Sequence, residues 1–277
     1  MKKVFIAILV ACVVVPSLAF SATCQKMTIP AYEYPFSWLS GQTPPVTMWE
    51  KIAAKHTQNA DVIFNPNSGP GGGPGSPEYA DYTWAVDVID AAPGLKPVAY
   101  IATTWGAKSL ADIQIEINKY LAWYPQTVGF FLDEADTSLA KLSYYQAIVN
   151  MIDTSMGGGN RRVIINFGTY PTTDDHFKMT PTNNSFISFV TFEGLYLDYL
   201  AMTPPAWAAN YDSKMHVHMV YKVAFANYPA VMALAQARNV KNIYVTSDWQ
   251  SGSPPYLAPY DTLTPYNGGE VNYAACP

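Results

Sequence analysis

Short runs of apolar residues recur along the chain, each followed by a turn and then by a segment with helical spacing. The runs cover Met27–Tyr34, Asp61–Asn65, Pro97–Thr104, Thr127–Asp133, Arg162–Gly168, Phe186–Glu193, Met215–Val223 and Asn242–Ser247. They are rich in Val, Ile, Phe and Tyr, and several are apolar almost throughout, the pattern of parallel strands buried on both faces. Helices are expected over Val46–Lys55, Tyr79–Ala91, Leu110–Tyr124, Leu139–Met156, Leu195–Met202 and Pro229–Arg238. Ser109 stands where an N-cap belongs, ahead of Leu110, Ile113 and Ile117 on one helical face. Gly157-Gly158-Gly159 stops the fourth helix. The crossovers after the fifth and eighth runs look short or irregular. Eight strands alternating with helices predict an α/β fold, a single (β/α)8 TIM-type barrel. An open doubly wound sheet is the alternative, but no Gly-x-Gly-x-x-Gly turn follows the first run and no Walker lysine is present.

The chain begins differently. Lys2 and Lys3 precede the apolar run Val4–Val15, and small residues follow up to Ala22. This is the layout of a secretion signal over residues 1–22, with residues 23–277 as the mature barrel. A lipid anchor at Cys12 is the lesser alternative. No later stretch reaches the about 20 apolar residues of a membrane span. The expected location is outside the cytoplasm, periplasmic or extracellular. There, Cys24 and Cys276 at the two ends of the mature chain would form a disulfide. Closing so long a loop would contribute about 4–5 kcal/mol at most.

Composition narrows the function. Apolar residues make up 49 % of the 277 and charged residues 13 %, which excludes a disordered chain. With 16 basic against 21 acidic side chains the net charge is −5, and loss of Lys2 and Lys3 takes it to about −7. A chain this acidic is not expected to bind nucleic acid. The glycine-rich stretch Gly69–Gly75 lacks a following Lys-Ser or Lys-Thr and reads as a rigid rim loop, not a phosphate cradle.

In a barrel of this kind the chemistry sits at the C-terminal ends of the strands. Carboxylates stand at three of those ends: Asp133-Glu134 at the fourth, Glu193 at the sixth and Asp248 at the eighth. Cleavage of a glycosidic bond needs two carboxyl groups flanking it, one protonated and one ionised. Phe130-Phe131-Leu132-Asp133-Glu134 is the strongest single signal, because charge after an apolar strand is costly unless it is used or paired. In a regular strand successive side chains face opposite ways, so only one of the two acids would enter the mouth. Candidate sugar contacts are Asn67, Tyr100, Trp105, Asn166, Tyr170, His218, Asp248 and Trp249, with Trp105, Tyr170 and Trp249 as stacking surfaces. His216 and His218 lie two apart, on one strand face. With only His56 and His176 besides, they are read as packing or substrate groups; no metal site or other cofactor is expected, and a metal-dependent deacetylase is the weaker alternative.

The chain resembles the spherulin-4-like family over nearly its whole mature length. Asn65-Pro66-Asn67-Ser68-Gly69-Pro70-Gly71 carries the likeness most specifically. Ile29-Pro30-Ala31-Tyr32, Lys119-Tyr120, Trp123-Tyr124, Phe131-Leu132-Asp133-Glu134 and Phe192-Glu193 support it in order and spacing. The resemblance implies a (β/α)8 barrel with an acidic cleft that hydrolyses α-1,4-linked N-acetylgalactosamine or galactosamine exopolysaccharide with retention; together with the leader segment, the expectation is a secreted, endo-acting, monomeric glycoside hydrolase. It implies Asp133 as nucleophile, Glu193 as general acid and base, and Glu134 as a tuning group. A catalytically silent polysaccharide-binding barrel remains the alternative. Two places depart from the family pattern: Phe167 stands where a proline is expected, and Ser247 is an additional residue before Asp248.

Overall fold

The computed structural model describes residues 25–36, 46–55, 60–157, 159 and 161–248. The segment read as a secretion signal, Cys12, Cys24, Cys276, His56 and Trp249 all lie outside the described residues. Eight parallel strands close into a barrel in sequence order, with β8 returning to β1 through Lys26–Asn242 and Met27–Ile243. They are β1 (Lys26–Ala31), β2 (Ala60–Phe64), β3 (Leu95–Ala102), β4 (Gly129–Asp133), β5 (Arg162–Asn166), β6 (Phe186–Leu195), β7 (His216–Tyr221) and β8 (Asn242–Val245). Among the described residues six helices cover the outside: α1 (Met48–Lys55), α2 (Pro77–Ala91), α3 (Leu110–Trp123), α4 (Leu142–Ser155), α5 (Tyr196–Ala201) and α6 (Tyr228–Ala237). The expected (β/α)8 barrel is therefore present. The irregular crossover after the fifth strand contains only a 3-10 turn at Asp175–Lys178.

Local chemistry explains the element ends. Ser109 accepts from the Asp112 N–H and caps α3, and Ser76 does the same for α2 through Tyr79. Gly129 opens β4 at a point where a Cβ would strike the backbone of Arg162 on β5, so only glycine lets the strands pair there. The core between barrel and helices is apolar and dense: Phe64 meets Tyr120 and Tyr124 of the α3 region edge-on, and Phe130 meets Tyr120 in the same way. Inside the barrel, near the N-terminal ends of the strands, Asp61 pairs with Lys26 and with Arg162, the latter at 2.9 Å. Since β2 and β5 are not neighbours in the sheet, the Arg162 contact reaches across the lumen. The mouth at the opposite end is left for other work. Among the described residues, no helix is long and apolar enough to cross a membrane.

One irregularity in the ladder matters for the site. Along β6, Val190 pairs with Val217 and Phe192 with His218, so Thr191 is an extra residue, a β-bulge. Were Thr191 paired in the ladder as a regular strand residue, alternation from the inward Val190 would turn Phe192 to the lumen and Glu193 to the helices. With it, Phe192 packs outward on Tyr199 and Glu193 enters the mouth.

Candidate active site

The C-terminal mouth holds a cleft of about 170 Å³ lined by Trp105, Asp133, Glu134, Ala135, Asn166, Phe167, Gly168 and Glu193. All three predicted acids are in it. Asp133 arrives as the last residue of β4, facing inward level with Ala102 of β3. Glu134 does not follow the alternation expected of a regular strand. Its φ is +52°, in the left-handed region, and this twist brings its carboxylate to the same cleft. The expectation that only one of the pair would face inward is corrected by that backbone turn.

Asn166 sits between the acids. Its Nδ2 donates to Asp133 Oδ1 at 2.8 Å and to Glu193 Oε2 at 2.7 Å, which bounds the separation of those two oxygens at about 5.5 Å. Its Oδ1 accepts from the Gly168 N–H at 3.0 Å, fixing which way the amide points. Gly168 itself has φ +64° and its carbonyl accepts from the Glu193 N–H, so the ends of β5 and β6 are stitched together behind the acids. Sequence reasoning placed Asn166 among the sugar contacts; the structure instead commits both of its N–H donors to carboxylates.

Asp133 accepts a second hydrogen bond, from the Tyr100 hydroxyl to Oδ2 at 2.8 Å. Burial, and then the Asp133 charge, push the Tyr100 hydroxyl far above its ordinary range, so it remains a donor at any working pH. With one donor on each oxygen, the Asp133 carboxyl group is held in a fixed orientation. Tyr32 at the end of β1 stands edge-on to Tyr100, with ring centroids 5.7 Å apart, and is likewise raised by burial and then by Asp133. Tyr221, at the end of β7, is pushed up to about 12 by burial and next by Glu193. Neither Tyr32 nor Tyr221 was assigned a site role from the sequence. Inward register at a strand's C-terminal end was the signal that could have found them.

The other candidates are distributed as follows. Trp105 is 62 % exposed at the edge of the cleft, a free aromatic face beside the acids. Tyr170 does not line the cleft as expected of a stacking surface; it is half-buried behind the sheet, against Trp207 and the outward-facing His216 and His218. Asn67 is exposed on the loop after β2, away from the cleft lining. The main chain of Asp248 bonds Lys222 and the Thr246 hydroxyl, and its side chain is not among the cleft-lining groups. Phe167, the departure from the family pattern, lines the cleft and stacks on Phe189 at 5.7 Å.

His218 is corrected most clearly. It faces away from the mouth, is completely buried, and bonds Tyr199 through Nδ1 at 3.0 Å and Tyr170 through Nε2 at 3.4 Å. His216, also buried and outward, donates from Nε2 to the Ala208 carbonyl at 3.2 Å. The pair therefore packs the layer between β7 and its covering segments. Among the described residues no group of three His, Cys, Asp or Glu is disposed to hold a metal ion.

Burial pushes His216 down to about 4 and His218 well below its ordinary value. In the unfolded chain both would protonate near pH 6.5, so the unfolded state binds more protons below that value. Stability is thus full above about pH 6.5 and is lost as the pH falls towards 4, by about 3 kcal/mol from His216 alone. Thermal melts at pH 7, 5.5 and 4.5 should show a steady fall that flattens in His216→Gln; equal slopes in the two proteins would refute the assignment.

Comparison with known proteins gives three results. The model of the family described as spherulation-specific family 4 matches residues 26–273. Spherulin-4 of Physarum polycephalum is 36 % identical over 149 residues, which make up 53 % of this chain and span 40 % of that protein's length. The crystal structure of Aspergillus clavatus Sph3 in complex with GalNAc superposes with a TM-score of 0.69 at 19 % identity, covering 91 % of this chain and 98 % of that one.

Proposed function

Since this chain belongs to spherulation-specific family 4, we propose that it is an exported, endo-acting glycoside hydrolase of amino-sugar exopolysaccharide, working with retention on α-1,4-linked N-acetylgalactosamine or galactosamine. The observation that carries this reading is the Asn166 amide bridging Asp133 and Glu193. It keeps the facing oxygens of the two acids no more than about 5.5 Å apart, which supports the about 5–5.5 Å spacing of a double displacement over the roughly 6.5–9.5 Å that would admit a water for inversion. That the fold neighbour was crystallised with GalNAc adds support for the sugar class.

Asp133, gripped by Tyr100 and Asn166, attacks the anomeric carbon as the nucleophile. Glu193 in its acid form protonates the departing glycosidic oxygen, and the Asp133–carbon bond replaces the carbon–oxygen bond. Water then enters, Glu193 takes its proton, and Asp133 is released as carboxylate. Glu134 adds negative charge beside the developing oxocarbenium ion. Trp105 offers its exposed face to a sugar ring. The acidic net charge would draw in a partly deacetylated, cationic polymer, an attraction that salt weakens.

The test is incubation of the purified protein with galactosamine-rich exopolysaccharide. New reducing ends should appear, and NMR of the first product should show the α-anomer. A β-anomer would replace retention by inversion. Polymer captured without any new reducing ends would favour a silent binding barrel on the same site.

A further inference from the structure

Thr103, just beyond β3, is completely buried beneath the acids and touches neither carboxylate. Its N–H donates to the Asp133 carbonyl at 2.9 Å, and its Oγ1 lies 2.9 Å from the carbonyls of both Asp133 and Glu134. The Trp105 N–H donates to the same Glu134 carbonyl at 2.7 Å. Glu134, Thr104 and Trp105 all carry left-handed backbones, with φ of +52°, +49° and +51°. Three non-glycine residues in that region, facing one another across two strand ends, persist only where surrounding bonds over-determine them. Beneath them the Tyr145 hydroxyl accepts from the Asp136 N–H at 2.7 Å and stands 3.5 Å from Thr103 Oγ1.

We propose that Thr103 is a positioning residue: its hydroxyl clamps the twisted main chain at Asp133–Glu134, and thereby sets both carboxylates in the cleft. A hydroxyl has one proton to give, and here it lies between two carbonyls that would diverge if the strand ran on regularly. Released, Glu134 returns towards strand alternation and its carboxylate swings to the helical side. Trp105, tied to the same carbonyl, moves with it. The effect on rate rests on the hydrolase reading above; the effect on the backbone does not.

Thr103→Val removes the hydroxyl at nearly constant volume, and Thr103→Ser keeps it. Reducing-end release from galactosamine-rich polymer should show kcat down about 100-fold in T103V with KM within about threefold, because the loss is one of orientation. T103S should stay within about threefold of wild type on both parameters. A crystal structure of T103V should show Glu134 out of the left-handed region and its carboxylate withdrawn from the cleft. Thr103→Ala carries the same expectations and serves if the valine variant does not fold. Wild-type kcat in T103V, an unmoved Glu134, or equal impairment of T103S and T103V would each overturn the clamp. Should the wild-type protein release no reducing ends, the hydrolase reading fails alone, and the position of Glu134 in the variant still decides this one.

Discussion

Asp133→Asn is expected to lower kcat by about four orders of magnitude or more, since under the proposed mechanism it removes the attacking group. Glu193→Gln should cost about 10²–10⁴-fold, the usual contribution of a general acid and base. Neither should disturb the fold. In the asparagine variant, Oδ1 can still accept from Asn166 while Nδ2 donates to the Tyr100 hydroxyl, which can accept as well as donate. In the glutamine variant, Oε1 still accepts from Asn166. Melting temperatures should therefore stay within a few degrees of wild type. Turnover close to wild type in either protein would remove that residue from the chemistry, and a melting point down by ten degrees or more would recast it as structural.

The second large effect concerns stability. Asp153 on α4 has no solvent exposure, and its carboxylate accepts from the Asn183 N–H, the Ser185 N–H and the Ser185 hydroxyl. These three donors belong to the turn that leads into β6, the strand whose far end carries Glu193. Asp153→Ala leaves the two buried Ser185 donors unpaired in the interior and frees the Asn183 N–H at the surface, and should cost about 4 kcal/mol. For a domain of this size that corresponds to a fall in Tm of about 8–16 °C. Asp153→Asn retains an acceptor oxygen and should lose less. Denaturant melts provide the measurement, with midpoints compared at unchanged slope. A shift under about 1 kcal/mol would mean that water replaces the lost acceptor.

The barrel was legible because its strands are announced by composition: Val98 to Ile101 and Val163 to Ile165 are apolar on both faces, as only parallel strands under helices need to be. The capped α3 was equally open to reading, through Ser109. At the site, the identity of the acids could be read from the cost of placing charge at the end of Phe130–Leu132. Their orientation could not. Which way Glu134 faces depends on one left-handed φ, and which way Glu193 faces depends on one bulged residue, and neither leaves a mark on hydropathy. The same gap explains His218. Spacing put it on the face of His216 correctly, but strand parity in a barrel can be fixed only against a neighbour whose direction is known. Asn166 was recognised as polar at a strand end, yet its use by two carboxylates rather than by sugar requires their convergence, which no linear pattern records.

The extra residue at Thr191 also bears on how such genes can change. A change that drew Thr191 into the ladder would restore even alternation along β6 and send Glu193 behind the sheet, while the other strands and the exposed indole of Trp105 stayed as they are. On the proposed hydrolase reading, a descendant could thereby give up cutting in one step and keep its grip on polymer, with no substitution at any acidic position to betray the change.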